Sequence, residues 1–242
     1  MTVETTAETD VGRARDHNED SVLVAPTSAG RLVAVADGMG GHSAGGVASA
    51  TALEAFVGEL DDALAVESPT EALQTAVTAA NDAVIDRARE DADREGMGTT
   101  LVAALVADGT ATVVNVGDSR AYRVDDAEIE QVTVDHSVVQ ELVDAGEISE
   151  ERADTHPQRN VLSQALGANE TVGPDCFTAD LAADDATLLL CSDGLTAEVP
   201  DSEIHEITTA ADSLSDAADG LIASAKDHGG SDNVSVVLAR HR

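Results

Sequence analysis

The sequence predicts a single α+β domain built from antiparallel β-sheets with helices packed outside them. Three observations predict it. Apolar runs of strand length come in groups and are followed by groups of helical runs, whereas a doubly wound parallel fold would alternate the two. No internal repeat or low-complexity linker divides the 242 residues, so residues 1–242 are read as one domain. The hydrophobic content of 43% is enough to fill a core. That core must be aliphatic, because the chain has no Trp and only Phe56, Tyr122 and Phe177 as aromatic residues.

The elements follow in order. Residues 22–25 and 31–36 are short apolar runs joined by Pro26-Thr27-Ser28-Ala29-Gly30, the composition of a hairpin. Asp37 ends the second run, and Gly38, Gly40, Gly41, Gly45 and Gly46 follow it. A Gly-rich turn after a strand can cradle a phosphate with backbone N–H groups, but a carboxylate at its mouth would repel one. Over residues 47–60, Leu53, Phe56, Val57 and Leu60 recur at helical spacing. Ser68-Pro69-Thr70 opens a second helix, running to about Arg94 with Leu73, Val77, Ala80 and Val84 on one face. The period then changes: residues 99–107, 110–116, 120–124 and 129–132 are β-branched runs separated by Asp-Gly, Gly-Asp-Ser and Asp-Asp turns, an antiparallel meander. Residues 136–168 read as a small lid-like insertion with short helices at 137–144 and 149–153. Strands return at 172–178 and 187–191, then helices at about 202–210 and 214–227, and a closing strand at 234–240.

Forty-seven acids against thirteen basic residues give a formal net charge of −34, and Lys226 is the single lysine. The acids are spread over helix faces (Glu59, Asp61, Asp62; Asp82, Asp86, Glu90), so a disordered acidic tail does not account for them. Such a surface, with small core residues, suits molar salt, where a Debye length of about 3 Å screens self-repulsion; ordinary acidity is the alternative. The absence of a basic stripe excludes a nucleic-acid partner. No apolar stretch approaches membrane-spanning length and the N-terminus lacks a signal pattern, so no membrane association and a cytoplasmic location are expected. Cys176 and Cys191 form no C-x-x-C pair and read as reduced, buried thiols.

Three segments share one grammar of strand, aspartate and glycine: AVADG at Asp37, LLLCSDG at Asp193, and NVGDSR at Asp118, where the glycine comes first. Asp232 in GGSDN lies just before the last expected strand, and Glu19-Asp20 just before the first. One Asp-Gly after a strand is ordinarily a turn. Several acids meeting at strand ends repel one another unless cations lie between them, and Mg²⁺ or Mn²⁺ takes such an all-oxygen setting. Nucleotide motifs fail: Ser43 stands where the third glycine of G-x-G-x-x-G is needed, and no Gly-Lys pair exists for a P-loop.

The ordered set R-x-x-N-E-D (15–20), V-A-D-G-M-G-G-H (35–42), G-T-T-L (98–101), V-G-D-S-R-A-Y (116–122), D-H-S (135–137), H-P-x-R-N-V-L (156–162), S-D-G-L-T (192–196) and G-G-S-D-N-V-S (229–235) resembles the metal-dependent protein phosphatases of type 2C, the PPM family, in their compact prokaryotic form. The resemblance covers residues 11–240. It implies a four-layer αββα sandwich that hydrolyses phosphoserine and phosphothreonine with a water bridging two Mn²⁺ or Mg²⁺ ions. It places Asp37 between both metals with the Gly38 carbonyl, Glu19 on the second metal, and Asp193 and Asp232 on the first. Asp118 with Asp193 would offer a weaker third site, Asp20 and Asn233 would orient ligands or water, and Arg15 would grip the substrate phosphate. No protein nucleophile is then required, so Ser43, Ser119 and Ser192 need no catalytic role. Met39 stands where some members carry a histidine; His42 is either the general acid or a surface or capping residue. Residues 136–168 match the family's flap. A monomer acting on phosphorylated proteins is expected. The competing reading is a catalytically silent phosphoprotein-binding module on the same fold.

Overall fold

The computed structural model describes residues 3–40, 44–153, 155–182 and 186–241. Two five-stranded antiparallel sheets lie face to face. One has the order β1 (Val3–Asp10), β12 (Val234–His241), β11 (Thr187–Cys191), β8 (Arg120–Val124), β9 (Ile129–Gln131). The other has the order β10 (Asp175–Asp180), β7 (Thr110–Val116), β6 (Leu101–Ala107), β3 (Gly30–Ala36), β2 (Ser21–Thr27). A small ribbon pairs β4 (Gly38–Met39) with β5 (Gly98–Thr99).

Strand alternation explains why the central runs are apolar throughout. Along β6, Val102, Ala104 and Val106 face the other sheet, whereas Leu101, Ala103 and Leu105 face outward under α1 (Ala44–Leu64) and α2 (Pro69–Arg89). Along β11, Leu188 and Leu190 point between the sheets, and Leu189 and Cys191 point toward α5 (Asp193–Thr196), α6 (Asp201–Ala210) and α7 (Leu214–His228). Both faces of each sheet are therefore covered, giving the expected αββα layers. The three aromatic residues divide among them: Phe56 under the first helix pair, Phe177 between the sheets, Tyr122 under α6 and α7.

Local signals set the helix ends. Ser68 caps α2 in a reciprocal pair with Glu71, and Pro69 occupies the first turn. The expected second helix nevertheless stops at Arg89, and a separate 3₁₀ turn covers Ala92–Arg94. The expected strand at 99–107 is broken at Thr100, whose backbone N–H turns to the Asp37 carbonyl, and β10 starts at Asp175 instead of 172. Strand β1 was not expected at all. Its sequence VETTAETD offers only Val3 and Ala7 to the inter-sheet core, and it exists because it pairs along β12 at the sheet edge.

Candidate metal centre

Antiparallel order brings the end of β3, the end of β11, the start of β12, the β7–β8 turn and the approach to β2 to one edge of the sandwich. A cavity of about 600 Å³ opens there, lined by Arg15, Glu19, Asp37, Gly38, Asp118, Asp193, Asp232 and Asn233. The cited acids, scattered over more than two hundred positions of sequence, therefore share one site.

Asp37 is held through its backbone. The Asp37 N–H donates to Thr100 Oγ1 (3.0 Å), and its carbonyl accepts from the Thr100 N–H (2.9 Å) and from Thr99 Oγ1 (2.9 Å). Both threonines thus fix the Asp37 main chain and leave its carboxylate for the cavity. Thr100 Oγ1 also meets Ser119 Oγ at 2.7 Å, tying β3 to the turn that carries Asp118. A Cβ at Gly38 would lie 2.2 Å from the Gly45 carbonyl oxygen and 2.4 Å from that of Glu19. Gly45 in turn donates its N–H to Glu19 Oε1 (3.2 Å). The glycines permit close approach between β4, the start of α1 and Glu19; they do not form a phosphate cradle.

Asn233 acts on the opposite wall. Its Oδ1 accepts the Glu19 N–H (2.8 Å), and its Nδ2 donates to the carbonyls of Val11 and His17 (3.0 Å each). It therefore orients Glu19 by clasping the loop that bears it. Asp20 lies beneath, buried, its Oδ2 accepting from Ser192 Oγ (2.9 Å) and Ser235 Oγ (2.7 Å). Sequence reasoning gave neither hydroxyl this role; the available signal was a serine at the end of one apolar strand run, Ser192, and inside another, Ser235.

Proximity perturbs the acids. Burial, then the charges of Asp20, Asp193 and Asp118, holds the Asp37 carboxyl well above the ordinary range. Burial and the charges of Asp193 and Asp135 push Asp118 to about 7. Asp193 is raised by burial and by Asp232. Asp20 rises to about 6, chiefly through burial, which outweighs its serine hydrogen bonds. Two cationic groups stand close. Arg15 Nη2 bonds Asp232 Oδ2 at 2.7 Å, and Arg120 makes a two-pronged pair with Asp135 (Nε–Oδ1 2.9 Å, Nη2–Oδ2 2.7 Å) beside Asp118. They do not neutralise the set. Among the described residues no three His, Cys, Asp or Glu side chains form a ready-made cage for one ion. Hard cations held by one or two carboxylates each, with water completing the shell, fit that arrangement and its all-oxygen donors.

His42 lies outside the described residues. His136 is structural, accepting the Gly117 N–H at Nδ1 (3.2 Å) and meeting Asp175 Oδ2 through Nε2 (3.1 Å). Within residues 136–168, the part bordering the cavity is Asn160–Ala165 with Ala168, while α3 (Val138–Asp144) and α4 (Glu150–Ala153) stand away from it. The insertion is pinned by backbone bridges from Ser137 to Leu162 and from Thr99 to Leu166.

The profile of the family described as Protein phosphatase 2C matches residues 12–228. The chain belongs to the protein phosphatase 2C family. It is 43% identical over 234 residues to the serine/threonine phosphatase stp of Listeria monocytogenes serotype 4b, covering 95% of this chain and 92% of that one. The crystal structure of the Mycobacterium tuberculosis serine/threonine phosphatase PstP/Ppp shares its fold at a TM-score of 0.89 and 40% identity over the whole of both chains. A structure of the PstP catalytic domain in complex with two manganese ions matches at a TM-score of 0.84 and 39% identity, over 98% of this chain and 97% of that one. The type 2C fold thus accounts for both sheets and the flanking helix pairs.

Proposed function

We propose that this type 2C chain is a metal-dependent protein phosphatase that removes phosphate from serine and threonine side chains. The observation that carries the reading is the convergence of Glu19, Asp37, Asp118, Asp193 and Asp232 on one cavity, with Arg15 at its rim. Asp37, Glu19 and the Gly38 carbonyl, with Asp193 and Asp232, would hold two Mn²⁺ or Mg²⁺ ions, and Asp118 with Asp193 a weaker third. Bound there, such ions lower the pKa of water and neutralise charge on the phosphoryl oxygens.

The chain's own residues do the positioning. Arg15, half-exposed and paired with Asp232, supplies a guanidinium fork that matches phosphate oxygens. Asn233 keeps Glu19 facing the cavity, and Thr99 and Thr100 keep Asp37 there. Residues 160–165 and Ala168 border the cavity, so the flap is assigned a part in substrate choice. Among the described residues no helix is long and apolar enough to cross a membrane. The acidic, lysine-poor composition supports a protein that works at high salt.

The purified chain should hydrolyse para-nitrophenyl phosphate and a phosphothreonine peptide in molar salt only when Mn²⁺ or Mg²⁺ is added, and Asp37→Asn should abolish both. Absence of metal-dependent turnover would favour the silent binding module instead, and full activity in the variant would overturn the proposed metal centre at Asp37.

A further inference from the structure

Lys226 is the single lysine of a chain that otherwise uses arginine for its cations, and it stands at the end of α7, immediately before the segment leading to Asp232. Its Nζ bonds Asp10 Oδ2 at 2.7 Å, with 33% and 30% of the two side chains exposed. The other oxygen of Asp10 accepts the Gly12 N–H at 2.8 Å. Gly12 adopts φ +75°, and a Cβ there would lie 2.1 Å from the Asp232 carbonyl oxygen and 2.9 Å from that of Gly230. The turn that Asp10 shapes therefore presses directly on the backbone of a proposed metal ligand.

The same seam is fastened at further points. The N–H groups of Arg13 and Ala14 both donate to the Gly230 carbonyl (2.8 and 3.2 Å), and Arg13 pairs with Asp227 at 2.8 Å. Next along the loop come Arg15, bonded to Asp232, and Glu19, whose N–H is held by Asn233. Loop 11–20 and segment 229–233 thus lie against each other on one side of the cavity, with Lys226 and Asp10 at the end of their seam.

We propose that Lys226 is a positioning residue for the metal centre: through Asp10 and the Gly12 turn, its ammonium sets the loop that carries Arg15 and Glu19 against the segment that carries Asp232. This rests on the metal-centre reading above. An ion pair about one-third exposed contributes little to overall stability, so its effect should appear in metal binding and not in folding. Residues that orient metal ligands at one remove commonly alter affinity by about tenfold or more when changed.

The test is Mn²⁺ titration calorimetry in molar salt on the wild type, Lys226→Met, Lys226→Arg and Asp10→Asn, with thermal unfolding in EDTA alongside. Lys226→Met and Asp10→Asn should each weaken Mn²⁺ binding by about tenfold while unfolding in EDTA stays near wild type, Lys226→Arg should recover most of the affinity, and the Met/Asn double variant should be no worse than either single one. Affinity of Lys226→Met within about twofold of wild type, well below the effect of an orienting residue, would overturn the proposal. So would additive losses in the double variant, or a loss that follows unfolding in EDTA. A wild type that binds no Mn²⁺ would instead overturn the metal centre itself, and this inference with it.

Discussion

Raising the pH of the metal-stripped chain should cost it stability, and Asp20 gives the clearest measure of how much. Its carboxyl sits beneath the acids of the proposed metal centre and has a folded-state pKa raised from 3.8 to about 6, burial being the main cause. Below pH 3.8 both folded and unfolded chains hold the proton. Between that value and about 6 the unfolded chain releases it while the folded chain keeps it, so stability falls as pH rises through this window and the loss is complete above it. A shift of about two units corresponds to about 3 kcal/mol, or about 6–12 °C in Tm for a domain of this size. The assay is thermal or urea unfolding in EDTA and molar salt at pH 4.5 and 7.5, for wild type and Asp20→Asn. The asparagine variant should lose less stability than wild type across this interval, by about 2 kcal/mol, because about a third of the loss has already occurred by pH 4.5. Saturating Mn²⁺ at pH 7.5 should restore about 3 kcal/mol when present at a hundred times its Kd. Equal pH slopes in the two proteins, or a wild type that gains stability between pH 4.5 and 7.5 without metal, would refute the reasoning.

Two further outcomes follow from packing. In Gly194→Ala a Cβ would lie 1.9 Å from the Asn233 carbonyl oxygen, so α5 and β12 must part; unfolding in urea should show a loss of about 1–3 kcal/mol together with lost Mn²⁺-dependent hydrolysis, and near-wild-type stability would count against the described contact. Cys191 is fully buried and its thiol is pushed up to about 12 by burial, so iodoacetamide on the native chain should alkylate Cys176 at most, and mass spectrometry should find Cys191 modified only after unfolding.

Much of the site was legible because its chemistry is written locally. A strand followed by an acid and a glycine marked Asp37 and Asp193 without knowledge of the fold, since aspartate is costly at a buried strand end unless something compensates it. The sheets and layers were legible for a similar reason: runs such as Leu188-Leu189-Leu190 are apolar at every position only when both faces of a strand are covered. Strand β1 was not legible, because Thr and Glu dominate it and its pairing partner β12 is supplied from the far end of the chain. The break at Thr100 was hidden too, since a β-branched residue reads as strand whether its N–H joins the ladder or turns to the Asp37 carbonyl.

The sequence by itself determined that the core would be aliphatic and that the acids fall at strand ends. Only the tertiary structure decided how they are held. The Glu19 N–H meets the Asn233 side chain across 214 positions of sequence, and Lys226 meets Asp10 across 216. Residue chemistry is carried at each position, whereas these hydrogen bonds depend on where antiparallel pairing delivers the two ends of the chain, and no local pattern encodes that distance.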